Sequence, residues 1–246
     1  MTMSIGRGNS RESLILNLDA GNPKSYVSGS SLWKDLSGNN VDFYQSGAAA
    51  ATNDLTFETL NGVQCFQYNE QKCFAHDNGA NLDLSGPMTL EFWVYFGGTA
   101  TRTTFFEKLG TDYASYYQEI AMTYETDEDM SWFYCRPSYD YHRMLLPQSQ
   151  WIQFGMTRDT GDAGFKNGIG YINGQVAALS VDTETDGDAI TPTPNQIRIG
   201  RGYAANPPYD CFEAGNYVSI VRAYNRELTA YEMEENFNAE RARFGV

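Results

Sequence analysis

The sequence predicts an all-β protein, a two-sheet antiparallel sandwich closed by one short C-terminal α-helix. Three observations lead there. Aromatic residues make up 14% of the 246 residues, and aromatic side chains favour strands over helices. Runs of strand formers recur roughly every ten to fifteen residues with Gly, Asn and Asp turns between them, the spacing of a sandwich. One well-capped helical pattern stands at the end of the chain.

The elements follow in order. Leu14-Ile-Leu-Asn-Leu18 is a short apolar run ended by the turn cluster Asp19-Ala-Gly-Asn-Pro23. From Met88 to Phe96 the sequence alternates: Leu90, Phe92, Val94 and Phe96 share one face, and Glu91, Trp93 and Tyr95 the other. A period of two over this length is a strand. Thr104–Glu107, Tyr117–Tyr124, Ser131–Cys135, Trp151–Thr157, Ile197–Gly200 and Tyr217–Tyr224 are further strand candidates. In Gly170-Tyr-Ile-Asn-Gly-Gln-Val-Ala177, the Asn173-Gly174 pair predicts a type I′ hairpin, whose two central residues both need positive φ. Thr229-Ala-Tyr-Glu232 is a capping box with Leu228 and Met233 at the staple positions. Met233 and Phe237 then lie one turn apart on the buried face, and Gly245 follows the last turn. Trp33, Trp93, Trp132 and Trp151 fall in or near strands, where core packing is the default.

Gly47–Ala51 and Val181–Pro194 read as long loops. Neither a repeat nor a linker divides the chain, so residues 1–13 form an N-terminal arm and residues 14–246 one domain. The arm holds Arg7 and Arg11 against Glu12, with Ile5 as an apolar contact and Gly6 and Gly8 to let the backbone run extended. That composition suits an anchor laid along another surface.

Charge excludes several partners. With 17 basic and 31 acidic residues the net charge is −14, which repels phosphate backbones and anionic membranes. No segment approaches ~18 consecutive apolar residues, so membrane insertion is not expected. The N-terminal stretch lacks a signal-peptide core, so synthesis in the cytoplasm without a signal peptide is expected. Cys65, Cys73, Cys135 and Cys211 form no CxxC pair, and His76 and His142 are the only histidines, too sparse for a zinc site. The cysteines read as buried thiols, with a Cys65–Cys73 bridge left open.

Strung together, several segments resemble a known family. These are Leu16-Asn-Leu-Asp-Ala-Gly-Asn-Pro-Lys-Ser-Tyr26, Trp33-Lys-Asp-Leu-Ser-Gly-Asn39 and Met88-Thr-Leu-Glu-Phe-Trp-Val94. Tyr171-Ile-Asn-Gly174, Ile197-Arg-Ile-Gly200 and Val221-Arg-Ala-Tyr-Asn-Arg-Glu-Leu-Thr229, with Glu232 and Asn236-Phe237 beyond, complete the set. From Leu14 to Gly245 the order is that of laminin-G-like, concanavalin A-like jelly-roll domains, particularly those of bacteriophage virion proteins. The resemblance implies two curved antiparallel sheets of roughly six or seven strands each. It does not imply one function, since such domains serve as lectins, glycanases, adhesion modules and virion surface proteins.

The glycanase expectation can be tested on the residues. Glycoside hydrolases of this fold carry Glu-x-Asp-x-x-Glu on one strand, the outer glutamates acting as nucleophile and acid/base. Glu125-Thr-Asp127-Glu-Asp-Met130 and Glu184-Thr-Asp186-Gly-Asp-Ala189 each lack the final glutamate. Glu91 would need a second carboxylate beside it, and none can be named from sequence; it reads as a hydrogen-bonded or solvated strand residue. Calcium is the one ion the resemblance allows, through the acidic loops Asp159–Asp162 and Asp182–Asp188, although neither has an EF-hand pattern and solvated loops are the plainer reading. Ser138-Tyr-Asp-Tyr-His142 and Arg201-Gly-Tyr-Ala-Ala-Asn-Pro-Pro-Tyr-Asp210 read as loops. Their Tyr139, Tyr141, His142, Tyr203 and Tyr209 are the candidate contacts for a glycan or a protein partner, because loop tyrosines give large contact area and keep a hydroxyl available.

The sequence expectation is therefore a non-enzymatic virion structural protein, a capsid-decorating or surface-fibre subunit. It would be held to the major capsid or tail protein by the arm residues Ile5, Arg7 and Arg11, with room for a homo-oligomer. The alternative is a lectin-like module that binds host-surface glycans, with a glycoside hydrolase a distant third. No cofactor and no nucleic-acid partner are expected.

Overall fold

The period-two alternation resolves into two antiparallel sheets. The computed structural model describes residues 13–47, 55–67, 72–97, 102–109, 118–125, 129–135, 139–159, 168–181, 195–200 and 215–246. The first strands are β1 (Leu14–Asp19), β2 (Leu32–Trp33), β3 (Phe43–Gly47), β4 (Thr56–Leu60), β5 (Val63–Gln67) and β6 (Lys72–His76). Next come β7 (Met88–Phe96), β8 (Arg102–Leu109), β9 (Gln118–Glu125), β10 (Asp129–Cys135), β11 (Tyr139–Leu145) and β12 (Trp151–Arg158). The last are β13 (Ile169–Ile172), β14 (Gln175–Val176), β15 (Ser180–Val181), β16 (Ile197–Ile199) and β17 (Asn216–Tyr224), followed by helix α1 (Ala230–Phe244).

Sheet A runs β14-β13-β12-β7-β17-β5-β4, with β1 also paired to β17. Sheet B runs β15-β11-β10-β9-β8-β16-β6-β3-β2. Among the described residues the sheets hold eight and nine strands. They exceed the six or seven that the resemblance implies because two-residue strands such as β2, β14 and β15 extend the edges.

One core fills the space between the sheets. Leu90, Phe92, Val94 and Phe96 of β7 and Ile152, Phe154 and Met156 of β12 meet Phe74, Ile120, Met122, Ile197 and Ile199 of sheet B. The Phe92 ring stacks on Phe154 at 4.9 Å and meets Phe105 edge-on at 4.8 Å, both favoured geometries for aromatic pairs. A register shift between Thr104 and Phe106 turns the consecutive Phe105 and Phe106 both into the core, as a β-bulge does.

The opening motif has a physical role. The buried Asp35 carboxylate accepts from the backbone N–H of Asn17, Ser37 and Val41 at 2.9, 2.8 and 3.2 Å and from the Ser37 hydroxyl at 2.6 Å. It ties the loop after β2 to β1 while Trp33 packs against Phe66 and Phe74.

The Asn173-Gly174 hairpin forms with φ of 51° and 76°. A second hairpin of the same kind, Asn61-Gly62 with φ of 53° and 83°, joins β4 to β5. α1 has its capping box at Thr229 and Glu232 and ends on Gly245 with φ of 72°. Met233 and Phe237 are buried as predicted, and Asn236, Glu240 and Phe244 join them. Phe244 lies flat on Trp93, ring centroids 3.8 Å apart. At Gly155 a Cβ would meet the Met233 side chain and the Leu90 carbonyl, so the glycine lets the helix close on the sheet. Cys65 and Cys73 are buried thiols, and burial pushes the Cys65 thiol up to about 12.

One expectation is corrected. Ser138–His142 does not read through as a loop, because Tyr139–Leu145 is strand β11, paired along its length with β10. The polar His142 stands at an inner position, which breaks the apolar alternation that marks a strand.

Candidate functional site: the outer face of sheet B

Each sheet has one face turned away from the core. On sheet A, α1 and a second cluster containing Trp93, Trp151, Phe237 and Phe244 cover that face. Glu91 lies beneath them, fully buried. Its carboxylate accepts from Gln153 Nε2 at 3.0 Å, Arg222 Nη1 at 3.2 Å, the Tyr224 hydroxyl at 3.1 Å and Asn236 Nδ2 at 2.9 Å. Arg222 also donates to Asn17 Oδ1 at 3.2 Å and to Glu240 Oε1 at 2.6 Å. The second carboxylate that sequence could not name is therefore Glu240, brought over by the helix. Burial disfavours the Arg222 charge, but Glu91 and Glu240 outweigh it and hold its pKa up. Burial, then the Glu91 charge, push the Tyr224 phenol well above its ordinary value. Glu91 is fully buried and Glu240 nearly so, and the pair, bridged by Arg222, locks the helix to the sheet.

Sheet B presents its outer face differently. Directly paired residues share a face, so the registers define one row across the strands. Leu32 pairs with Tyr44, Tyr44 with Ala75, Ala75 with Arg198 and Arg198 with Glu107. Glu107 pairs with Ala121, Ala121 with Phe133 and Phe133 with Tyr141. At its centre Arg198 Nη1 lies 3.5 Å from Glu107 Oε1, and Arg198 Nε donates to Gln196 Oε1 at 2.5 Å. Gln196 Nε2 donates in turn to Asp77 Oδ1 at 2.6 Å. Tyr44, two strands and hence about 10 Å from Arg198, is 53% exposed. Glu107 is itself fully buried and only holds the guanidinium in place; the exposed phenol ring and, two strands away, the guanidinium and amide groups can take an apolar ring face and hydroxyls together.

The predicted contacts divide. His142 pairs with Trp132, which pairs with Met122 of the core. At 2% exposure it lies inside the sandwich, and its place as a surface contact is withdrawn. Tyr139 and Tyr141 belong to β11, where their backbones pair with Cys135 and Phe133 of β10. Tyr203 and Tyr209 lie outside the described residues, as do the arm residues Ile5, Arg7 and Arg11. Tyr44, Gln196, Arg198 and Glu107 were missed. The alternation Ile197-Arg-Ile199 already turned Arg198 away from the core and could have found it. Among the described residues no three His, Cys, Asp or Glu side chains gather as a metal site. Asp159 is described, whereas Asp162 and residues 182–188 are not.

The comparisons follow from this architecture. Residues 69–233 match the Concanavalin A-like lectin/glucanases superfamily. No curated protein matches the chain. Among solved structures, a Trypanosoma rangeli sialidase in complex with sialic acid is similar at 15% identity and a TM-score of 0.63, over 96% of this chain and 34% of that one. A mutant of the same sialidase displaying trans-sialidase activity gives 16% and 0.65, over 98% and 35%. The binding domain of botulinum neurotoxin serotype D gives 12% and 0.65, over 95% and 53%. The chain thus spans about a third of the sialidase chains and about half of the neurotoxin chain, and at these identities the likeness is one of fold. With more than half of its residues matched in sequence and its two sheets matched in space, the chain belongs to the Concanavalin A-like lectin/glucanases superfamily.

Proposed function

We propose that the chain is a non-catalytic binding module that takes a glycan on the outer face of sheet B. The observation that carries this reading is the exposed Tyr44 ring two strands from the partly exposed Arg198 and its Gln196–Asp77 hydrogen-bond chain, on the sheet face that α1 does not cover, with the buried Glu107 carboxylate holding the guanidinium. Sugars are bound by such pairings of an aromatic ring with planar polar groups. The fold likeness to a sialidase in complex with sialic acid and to a toxin's binding domain supports a binding role of this kind. Against catalysis stand the burial of Glu91 and Glu240 and the two incomplete carboxylate motifs. Binding is expected without a cofactor; loss of binding in chelator would identify a calcium site instead.

A glycan array tests this directly. The protein should retain a defined set of glycans, and Tyr44→Ala and Arg198→Leu should each weaken binding at least about tenfold, near 1.4 kcal/mol, while far-ultraviolet circular dichroism stays unchanged. Laminarin, mixed β-glucans, agarose and carrageenan should release no reducing ends. Full binding by both variants would remove sheet B as the site.

A second reading concerns where the module works. The six-segment resemblance from Leu14 to Gly245, the net charge of −14 and the basic arm favour a virion surface subunit, made in the host cytoplasm and held by Arg7 and Arg11 to a capsid or tail protein. Arm-deleted protein should then keep its fold but fail to co-sediment with particles.

A further inference from the structure

The two sheets each end on the same side of the sandwich. β14 is the last strand of sheet A and β15 the last of sheet B, and Ala177–Leu179 crosses between them. Between these edges lies a groove of about 600 Å³ whose apolar lining includes Leu145, Ile172, Val176 and Leu179, together with the polar Arg143, Gln175 and Ser180. Leu145 and Val176 are 66% and 62% exposed, so two large aliphatic side chains stand in water side by side. β14 and β15 are two residues long, and among the described residues no strand pairs beyond either. A largely apolar channel between two strand edges is a seat for an added strand.

The chain itself contains a segment of the matching pattern. Met1-Thr-Met-Ser-Ile5 alternates apolar and polar residues, placing Met1, Met3 and Ile5 on one face of an extended strand. The residues that follow, with Arg7 and Arg11 against Glu12, are basic in a chain of net charge −14, so they favour an acidic neighbour. Reach decides whose groove is filled. Ser13 is fixed to Asn225 beside β1, and five strand spacings separate β1 from β14, roughly 24 Å. The chain from Ser13 back to Ile5 spans at most about 26–29 Å. α1 stands on the straight path, with Met233 on Gly155 and Glu234 on Gly174, and a helix is about 10 Å across. The chain's own arm therefore has no slack to lay residues 1–5 in its own groove.

We propose that residues 1–5 of a second copy fill the groove, adding a strand between the two sheet edges and joining copies arm to groove. This does not depend on glycan binding, since no residue of the groove belongs to the Tyr44–Glu107 row. The contact is heterologous, so it closes by reciprocal exchange in a dimer or around a ring.

The test places a photo-crosslinking amino acid at position 176 of the full chain, mixed with isotopically heavy protein. Crosslinks should join residue 176 of one copy to residues 1–5 of the other, in a band of dimer size or larger. Deleting residues 1–5, or Val176→Asp at this exposed site, should each reduce the sedimentation mass to that of one chain with an unchanged melting temperature. Crosslinks to the arm in the monomer band, none to residues 1–5, or a wild-type protein that sediments as one chain would each overturn the proposal.

Discussion

The two outer faces carry the same three residue types, and on each the glutamate and the arginine pair directly across neighbouring strands. On sheet A, Glu91 of β7 pairs directly with Arg222 of β17, with Tyr224 beside them. On sheet B, Glu107 of β8 pairs directly with Arg198 of β16, with Tyr44 in the same row. Both glutamates are fully buried, and the exposure of the arginine and the tyrosine separates the faces. The Arg222 side chain is 4% exposed and Tyr224 not at all, whereas Arg198 is 20% exposed and Tyr44 53%. Under α1 the ions lose their water and survive because every carboxylate oxygen of Glu91 finds protein donors. On sheet B water still reaches the arginine and the phenol, and a ligand can take its place. Where the helix lies, more than which residues are present, decides which arginine and tyrosine are sealed into the fold and which stay open to water.

Substitutions can break this comparison, and the largest effect belongs to the sealed face. Arg222→Leu strands Glu91 and Glu240 without their cation and should cost about 3–5 kcal/mol in urea unfolding. The matched Arg198→Leu, across a longer and wetter contact, should cost no more than about half of that. Equal costs would erase the distinction between the faces. Phe237→Ala empties the space under the helix and should cost ~3 kcal/mol; an unchanged melting temperature would mean that α1 does not seal sheet A.

The smallest effects sit at the helix start. Thr229→Ala should cost about 1 kcal/mol through the lost cap. The Arg226 guanidinium, hydrogen-bonded to Glu232, holds that carboxyl down to about 2 from its ordinary 4.5. Because the folded value is depressed, its contribution is complete above about pH 4.5 and is lost as pH falls through about 2. Glu232→Gln should therefore flatten the dependence of melting temperature on pH across that window.

The long strands and the helix were legible because each writes its period locally. β7 was read to the residue, and α1 announced itself through Thr229, Glu232 and Gly245. β4 and β5 were not named although Asn61-Gly62 carries the same turn chemistry as Asn173-Gly174; their flanks, Phe57-Glu-Thr-Leu60 and Val63-Gln-Cys-Phe66, mix polar and apolar residues without a clean period. β11 hid behind His142 at an inner position. The candidate site was least legible, since Tyr44, Ala75, Arg198 and Glu107 come from four strands far apart in the chain and only the register makes them neighbours. The partner of Glu91 was out of reach for the same reason: Glu240 arrives with a helix whose docking no local pattern specifies.

Hydrogen exchange with and without a glycan selected on the array tests most directly which face binds. The account predicts slower exchange in β3, β6 and β16, which carry Tyr44, Ala75 and Arg198, with β17 and α1 unchanged. Protection confined to α1 and β17, with β3, β6 and β16 exchanging as in the free protein, would contradict it.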